Sequence, residues 1–323
     1  MCIASGSNSE PVCASAGNLM PDSQYFIAST TKIYVAAQIL NFEEQGLLSL
    51  DDKLARYLPQ SLITGLNIIK GKDFSSGITL RQLLSNTSGI PDYFLGKKSD
   101  GKSLEKELIS GEDSYWSFED TINLSKTMKS SFAPGKPGKA LYSDTNFQLL
   151  GSVVEKITGL EINEVFKKFI FDELEFVKTY LFSDENDTLP APLYYKNKIL
   201  KVPLAMKSFR ADGGIVSTAG ESLRFLRAFF GGKFFPVERL KSLYNWNPIF
   251  FPLKYGTGVM QFKLPRIFSP FSPAPEFIGH SGLSGAFAFY CPEKDVYLAG
   301  TVNQIADPGI SFRLMLKVVN EIK

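Results

Sequence analysis

Histidine is almost missing from this chain: one residue, His280, among 323. Any triad built on an imidazole would have to run through that ring. Cysteine is nearly as scarce. Cys2, Cys13 and Cys291 form no Cys-x-x-Cys pair, and with a single histidine they cannot assemble a metal site. Neither a metal nor another cofactor is therefore expected. No apolar run approaches the roughly 20 residues that span a bilayer, so no transmembrane segment is expected. Met1 to Glu10 is polar and lacks the apolar core of a signal peptide. Charge of one sign is absent too: 35 basic and 33 acidic residues give a net +2, with no long run. That leaves no electrostatic footprint for nucleic acid. With 44% apolar and 21% charged residues, the composition is that of a soluble globular chain, long enough for two domains.

What the chain does have is Ser29-Thr30-Thr31-Lys32 near the head of an apolar stretch, Phe26 to Gln45, which reads as a helix closed by Gly46. Residues three apart on a helix share a face, which would put Ser29 and Lys32 one turn apart. A serine hydroxyl is a weak nucleophile near neutral pH and needs a neighbouring base. A desolvated lysine can lose its charge near pH 7 and act as one. Ala28 and Ser29 would lie at the helix N-terminus, where unpaired N–H groups favour developing negative charge. Alone, the tetrapeptide is weak evidence, because a serine can simply cap a helix and a lysine can simply face water.

Cys2 to Ser5 and Val12 to Ala16 read as two short strands around a Ser/Asn/Gly turn. Cys2 and Cys13 would face each other there; a disulfide is one outcome, and free buried thiols are the favoured one. A second short helix is expected to end near Tyr57 and Pro59. Helices broken by Gly/Pro loops follow at Leu80 to Asn86, Phe118 to Ser130, Phe147 to Thr158 and Ile162 to Glu173, with a long polar surface loop over Lys97 to Ser117. After Lys201 come a helix at Ala219 to Phe230 and strand-like runs at Gly256 to Phe262, Glu276 to His280, Ala286 to Cys291 and Val296 to Asn303. Ser311 to Ile322 is a terminal helix. Alternating runs bounded by Pro and Gly predict antiparallel strands joined by hairpins. The fold class is α/β (α+β): an antiparallel sheet from both chain ends, flanked by helices, with a mostly helical insertion. The sheet domain is expected at residues 1–75 and 201–323, and the insertion at 76–200. Phe250, Phe251, Tyr255, Phe268, Phe271 and Phe277 are expected in the core, part of them near an apolar acyl pocket.

Three motifs occur in order: Ser29-Thr30-Thr31-Lys32 after Phe26-Ile27-Ala28, then Tyr142-Ser143-Asp144, then His280-Ser281-Gly282. Pro134-Gly135 precedes the second motif and Phe147-Gln148-Leu149-Leu150-Gly151 follows it. Ile78 to Leu84, Thr87 to Pro91 and Ala211 to Thr218 complete the pattern. Each string is weak singly; their shared order over nearly the whole chain carries the weight. In these residues the chain resembles the penicillin-recognising serine hydrolases, in the class C β-lactamase-like branch that includes DD-peptidases, D-aminopeptidases and carboxylesterases. The resemblance implies Ser29 as the acylated nucleophile, Lys32 as its base and Tyr142 as a partner in proton transfer. Acyl transfer needs those roles, since a proton leaves on attack and returns on departure of the leaving group. It also implies that Asp144, His280, Ser281, Gly282 and Leu283 bind substrate. His280 stands where β-lactamases proper carry the lysine of Lys-Thr-Gly. Its strand would lie beside Ser29 and take the substrate as an added strand. The N–H groups of Ser29 and Leu283 would form the oxyanion hole.

Two departures matter. The second motif usually reads Tyr-x-Asn, yet Asp144 holds the amide position. An ionised carboxylate only accepts hydrogen bonds. It would hold Lys32 charged and less basic, or orient Lys32 and a substrate amine, or merely cap the following helix. Asn146, two residues on, is expected to point elsewhere. Secondly, only 28 residues precede Ser29, where family members usually have a helix and further strand residues. That element is either lost or trimmed, and a signal peptide with it. Such proteins are often periplasmic or extracellular, so the compartment stays open, as does the oligomeric state. The expected function is a serine hydrolase forming an acyl-enzyme on Ser29 with small-molecule or short-peptide substrates. D-alanyl peptides come first, because His-x-Gly resembles the peptidase form. A carboxylesterase, a class C-like β-lactamase and a non-catalytic penicillin-binding-like protein are the alternatives. The last would gain if Asp144 paired with Lys32 and a loop blocked the cleft.

Overall fold

A computed structural model describes residues 1–268 and 273–322. Its main sheet has eight antiparallel strands: β1 (Cys2–Ser5), β2 (Val12–Cys13), β3 (Asn247–Pro248), β4 (Leu253–Tyr255), β5 (Met260–Phe262), β6 (Phe277–Ser281), β7 (Ala286–Cys291) and β8 (Val296–Thr301). Their spatial order is β3-β4-β5-β6-β7-β8-β1-β2, so the N-terminal hairpin extends a meander made by the C-terminal part of the chain. Four longer helices organise the rest: α1 (Thr31–Glu44), α2 (Asp144–Thr158), α3 (Ala219–Phe230) and α4 (Gly309–Glu321). Phe289 of β7 meets Phe312 of α4, with ring centroids 5.9 Å apart, while its neighbour Tyr290 meets Phe230 of α3 at 5.1 Å. Successive side chains on a strand point to opposite faces, so α3 and α4 cover the two sides of the sheet. The α/β class with an antiparallel sheet is what the strand alternation predicted.

Helix α1 is the centre of the core. Every residue from Thr31 to Leu40 is buried. A helix that is apolar all round is a core helix, not a surface one. Burying each Ile, Leu or Phe fully is worth about 1.5–3 kcal/mol. Its charged exception, Lys32, is therefore the residue whose burial needs an explanation.

Several elements differ from their sequence expectation. The helix does not begin at Phe26: Tyr25–Phe26 pair as a strand with Ser217 and Val216, and Ser29 sits in a tight turn, Ala28–Thr30, before α1. Ala28 has φ +47°, a left-handed conformation that cannot continue a helix. The polar stretch over Lys97 to Ser117 is not all loop. It contains a helix, Leu104–Ser110, capped by Ser103 and ended by Gly111 at φ +94°; Leu104 and Leu108, one turn apart, supply its apolar contact. α2 starts three residues earlier than its apolar spacing predicts. The helix at Ile162 becomes a wider π-turn from Lys167 to Phe171. Of the run over Gly256 to Phe262 only Met260–Phe262 is strand, residues 256–259 forming the turn from β4 to β5.

Cys2 and Cys13 form a disulfide, contrary to the expected free thiols. They are directly opposed in the β1–β2 register with Cα atoms 4.1 Å apart, a proximity that chain spacing alone does not dictate. Cys291 remains a buried free thiol. The aromatic cluster also divides. Tyr255 and Phe277 are buried, whereas Phe250, Phe251 and Phe268 are at least half exposed; Phe271 lies outside the described residues. Among the described residues, no helix is long and apolar enough to cross a membrane.

Candidate active site

Ser29 is held from three directions. Behind it, the strand Tyr25–Phe26 anchors on Ile215–Ser217. Ahead of it, α1 starts at Thr31, whose hydroxyl accepts from the Ile215 N–H at 3.2 Å. Beside it, the turn after β6 docks on the same backbone, with Ser284 Oγ donating to the Phe26 carbonyl at 2.7 Å. Gly282 makes this docking possible. A Cβ there would overlap the Ile27 carbonyl oxygen and touch Ala28 Cβ at 3.0 Å. Close backbone approach is what glycine permits. Leu283 follows at once, and among the described residues neither its N–H nor that of Ser29 has an acceptor. Both residues line the same two cavities, each with a free donor.

Lys32 is fully buried, and its ammonium is surrounded by acceptors. Nζ donates to Ser29 Oγ at 3.1 Å and to the Asp212 carbonyl at 2.5 Å. It lies 2.5 Å from Asp144 Oδ1, an ion-pair contact without hydrogen-bond angles. The rings of Tyr142 and Phe147 stand 5.2 and 5.5 Å away, within cation–π range. Asp144 is the first residue of α2, where the helix N-terminus favours an anion. It does not cap the helix, since its side chain turns to Lys32 instead. Asn146 points away as expected, bonding Ser88 and Asn86.

Two further buried carboxyls complete this wall, and neither was singled out from the sequence. Asp212 accepts from Tyr93 Oη at 2.6 Å and from Gln148 Nε2 at 3.1 Å. Asp92 accepts from the N–H groups of Phe94, Leu95 and Asp144. Burial, reinforced by the charge of Asp144, pushes the Asp92 carboxyl up to about 8 and that of Asp212 up to about 6. Asp92 directly follows the Thr87–Pro91 string and Asp212 lies within the Ala211–Thr218 string, which is the one sequence signal that marked their neighbourhood.

The opposite wall is neutral. Burial drives the Tyr142 phenol well above its ordinary value, with Asp144 adding and the nearby Ser29 hydroxyl opposing. His280 is fully buried. Its Nδ1 lies 2.8 Å from the Ser281 carbonyl, which can only accept, so Nδ1 carries the proton. Nε2 then accepts from Tyr255 Oη at 3.0 Å. Burial, helped by the Lys32 charge, lowers the imidazole to about 3, so it stays neutral. With both nitrogens used and no exposed surface, His280 does not itself face the cleft. Its ring stands 6.3 Å from that of Tyr142 and supports it from behind. Of the sequence-selected residues, Ser29, Lys32, Tyr142 and Asp144 are brought together, and Ser281, Gly282 and Leu283 line the cleft beside them.

Ser29 is partly exposed and borders two cavities. One is lined by Phe94, Leu108, Leu193, Met206, Phe209 and Ile305, with Asp212 and Ser284 at its polar edge. The other opens between Tyr142, Phe250, Met260 and Phe312. Asp144 and Leu283 border both. A hydroxyl with a buried amine, two free N–H donors and room on either side can meet a carbonyl whose two substituents lie in different compartments.

Comparison with known proteins agrees with this architecture. The beta-lactamase family matches over residues 7–310. Penicillin-binding protein 4* of Bacillus subtilis (strain 168) is 23% identical over 251 residues, covering 70% of this chain and 49% of that protein. A putative D-alanyl-D-alanine carboxypeptidase of Escherichia coli (strain K12) is 28% identical over 171 residues, covering 53% of this chain and 35% of that protein. The chain thus spans about half or less of these curated relatives. Among solved structures, the D-amino acid amidase of Ochrobactrum anthropi SV3 superposes with a TM-score of 0.79 at 21% identity, covering 99% of this chain and 94% of the amidase. With a match that spans almost its full length, the chain belongs to the beta-lactamase family of serine hydrolases.

Proposed function

We propose that the protein hydrolyses small amides or esters through an acyl-enzyme on Ser29. The observation that carries this reading is the 3.1 Å contact between the buried Lys32 amine and a Ser29 hydroxyl open to two cavities. Lys32, once deprotonated, takes the Ser29 proton as the hydroxyl attacks the carbonyl carbon. The N–H groups of Ser29 and Leu283 receive the oxyanion. Tyr142, kept protonated by burial, passes its proton to the leaving group and regains one from the Lys32 ammonium. Water then attacks the acyl carbonyl to release the acid and return the proton to Ser29. A neutral His280 with no free nitrogen supports a positioning role instead of a proton-transfer one. D-alanyl peptides are the first substrate class to test, carboxylic esters the second and β-lactams the third.

Incubation with a fluorophosphonate, followed by intact mass and peptide mapping, should give one adduct on Ser29. An equal adduct on Ser29→Ala, or none on the wild type, would end the covalent reading. One observation favours a second reading, a ligand-binding protein without turnover: the Asp144 carboxylate lies 2.5 Å from Lys32 Nζ, an ion pair that competes with Ser29 for the same amine. The open cleft weighs against it. Ligand affinity unchanged by Ser29→Ala, with no turnover in either protein, would favour it.

A further inference from the structure

Asp144 offers the cleft an anion that the chain itself leaves half used. It is 5% exposed, Oδ1 meets Lys32, and the carboxylate accepts no hydrogen bond from any described residue. Lys32 has nothing more to give, because Ser29, Asp212 and Asp144 already surround its three donors. Asp92 and Asp212 crowd the same place. Among the described residues Lys32 is the only cation in ion-pair contact with these three acids. The cavity beside this anion is walled mostly by apolar side chains, with Ser29, Asp212 and Ser284 the other polar residues of its lining. A dry carboxylate next to a reacting hydroxyl, short of donors and facing an apolar chamber, is built to meet a positive charge.

We propose that Asp144 is the counter-ion for a protonated amine on the acyl part of the substrate. The preferred substrates are then amides or esters whose scissile carbonyl carries a free amine on the adjacent carbon and an apolar side chain. This inference rests on the Ser29 acyl-enzyme and narrows its substrate class. Ser29 and Asp144 both contact the same Lys32 nitrogen, so they lie close enough to engage a carbonyl carbon and an amine one atom apart. The ammonium supplies the donors that the carboxylate lacks, and charge-assisted bonds of this kind are the strong ones. An asparagine at this position would give no such preference. N-acylated peptides, which have no free amine at that carbon, are accordingly disfavoured, so among D-alanyl peptides those with D-alanine at a free N-terminus should be cleaved in preference to those cut after an internal, N-acylated D-alanine.

The groups facing Asp144 are Lys32 of α1, Asp92 and Tyr93 after Pro91, and Glu105 of the helix Leu104–Ser110. Tyr142, Asp212 and Tyr255 complete the set. Because Asp92 and Asp212 titrate in the working range, each substrate needs a control that meets the same enzyme. The test compares D- and L-phenylalanine amide with 3-phenylpropionamide, which lacks the amine, and with N-acetylphenylalanine amide. At pH 7 the wild type should favour one amine-bearing enantiomer over its des-amino partner by about 10- to 100-fold in kcat/KM. That preference should fade as pH rises past about 8, where the substrate amine loses its proton. Asp144→Asn should bring the ratio to within about threefold. Equal or absent turnover of the amine-bearing compounds overturns the proposal, and so does a preference that persists to pH 9.5 or in Asp144→Asn. If the variant does not fold, the wild-type pH series decides alone. Failure of the underlying hydrolase reading is distinguishable, because only then does the fluorophosphonate leave Ser29 unlabelled.

Discussion

Two walls meet beside Ser29, and the same burial acts on them in opposite directions. In one, Asp144 pairs with Lys32, and burial beside it pushes two further acids up, Asp92 to about 8 and Asp212 to about 6. In the other, His280 is pushed down to about 3 and the phenols of Tyr142 and Tyr255 well up. The second wall thereby becomes neutral, and its imidazole has a partner for each nitrogen. The first keeps charge in a dry place, where each ion costs several kcal/mol to hold. Charge retained at that cost marks where bonds would be made and broken. A neutral, satisfied network marks what holds those groups in place.

The hardest blow to this contrast comes from the charged wall. Ser29→Ala and Lys32→Ala should each lower kcat/KM by about 1,000-fold or more, and the double variant by little more than either, since such groups act as a unit. Steady-state hydrolysis of the best substrate checks this, and substantial activity in Lys32→Ala would break the comparison. Lys32→Ala also strands buried carboxylates and should cost about 3–5 kcal/mol, read from the urea midpoint. Next comes the docking of the neutral wall. Gly282→Ala forces the Leu283 turn away from Ile27, and displacement of that order near reacting atoms costs about 100-fold. Slowed labelling of Ser29 with unchanged circular dichroism would show it.

The pH dependence of stability sharpens the contrast further. The His280 pKa is lower folded than unfolded, so the unfolded chain takes up the proton first. Its contribution is present above about 6.5 and is lost as pH falls from there towards about 3. His280→Gln should therefore lie closer to the wild type in acid than at neutrality. Asp92 behaves in reverse. Folded, it keeps a proton that the unfolded chain releases near 3.8, so stability declines as pH climbs from there to about 8. Asp92→Asn should lack that decline. Urea unfolding at pH 4, 6 and 8 separates the two, and parallel curves for both variants would refute the assignment. The smallest effect is expected for Tyr255→Phe, which removes the bond to His280 Nε2. It should cost about 1–2 kcal/mol, with a kcat/KM loss well under that of Gly282→Ala.

Much of the fold was legible because it is written in local spacing. β7, α3 and most of α4 fall where alternation or helical periodicity places them. The helix Leu104–Ser110 was not, since a short apolar contact among charged residues falls below any periodic signal. Phe250, Phe251 and Phe268 look like core residues in a string of aromatics, yet they stand at least half exposed. Whether an aromatic is covered depends on what packs over it, and that lies elsewhere in the chain.

By itself the sequence determined what fits within a turn or an ordered set of motifs: the Ser29–Lys32 spacing, the Tyr142-Ser143-Asp144 step into α2, and the glycine that lets β6 approach the nucleophile. Only the tertiary structure decided which distant groups meet. Lys32 and the Asp212 carbonyl touch across 180 residues of chain, and His280 finds Tyr255 where a surface imidazole would have found water. Spacing along the backbone governs contacts one helical turn long. Burial sets the protonation of Asp92, Asp212 and His280, and burial exists only once the walls have closed.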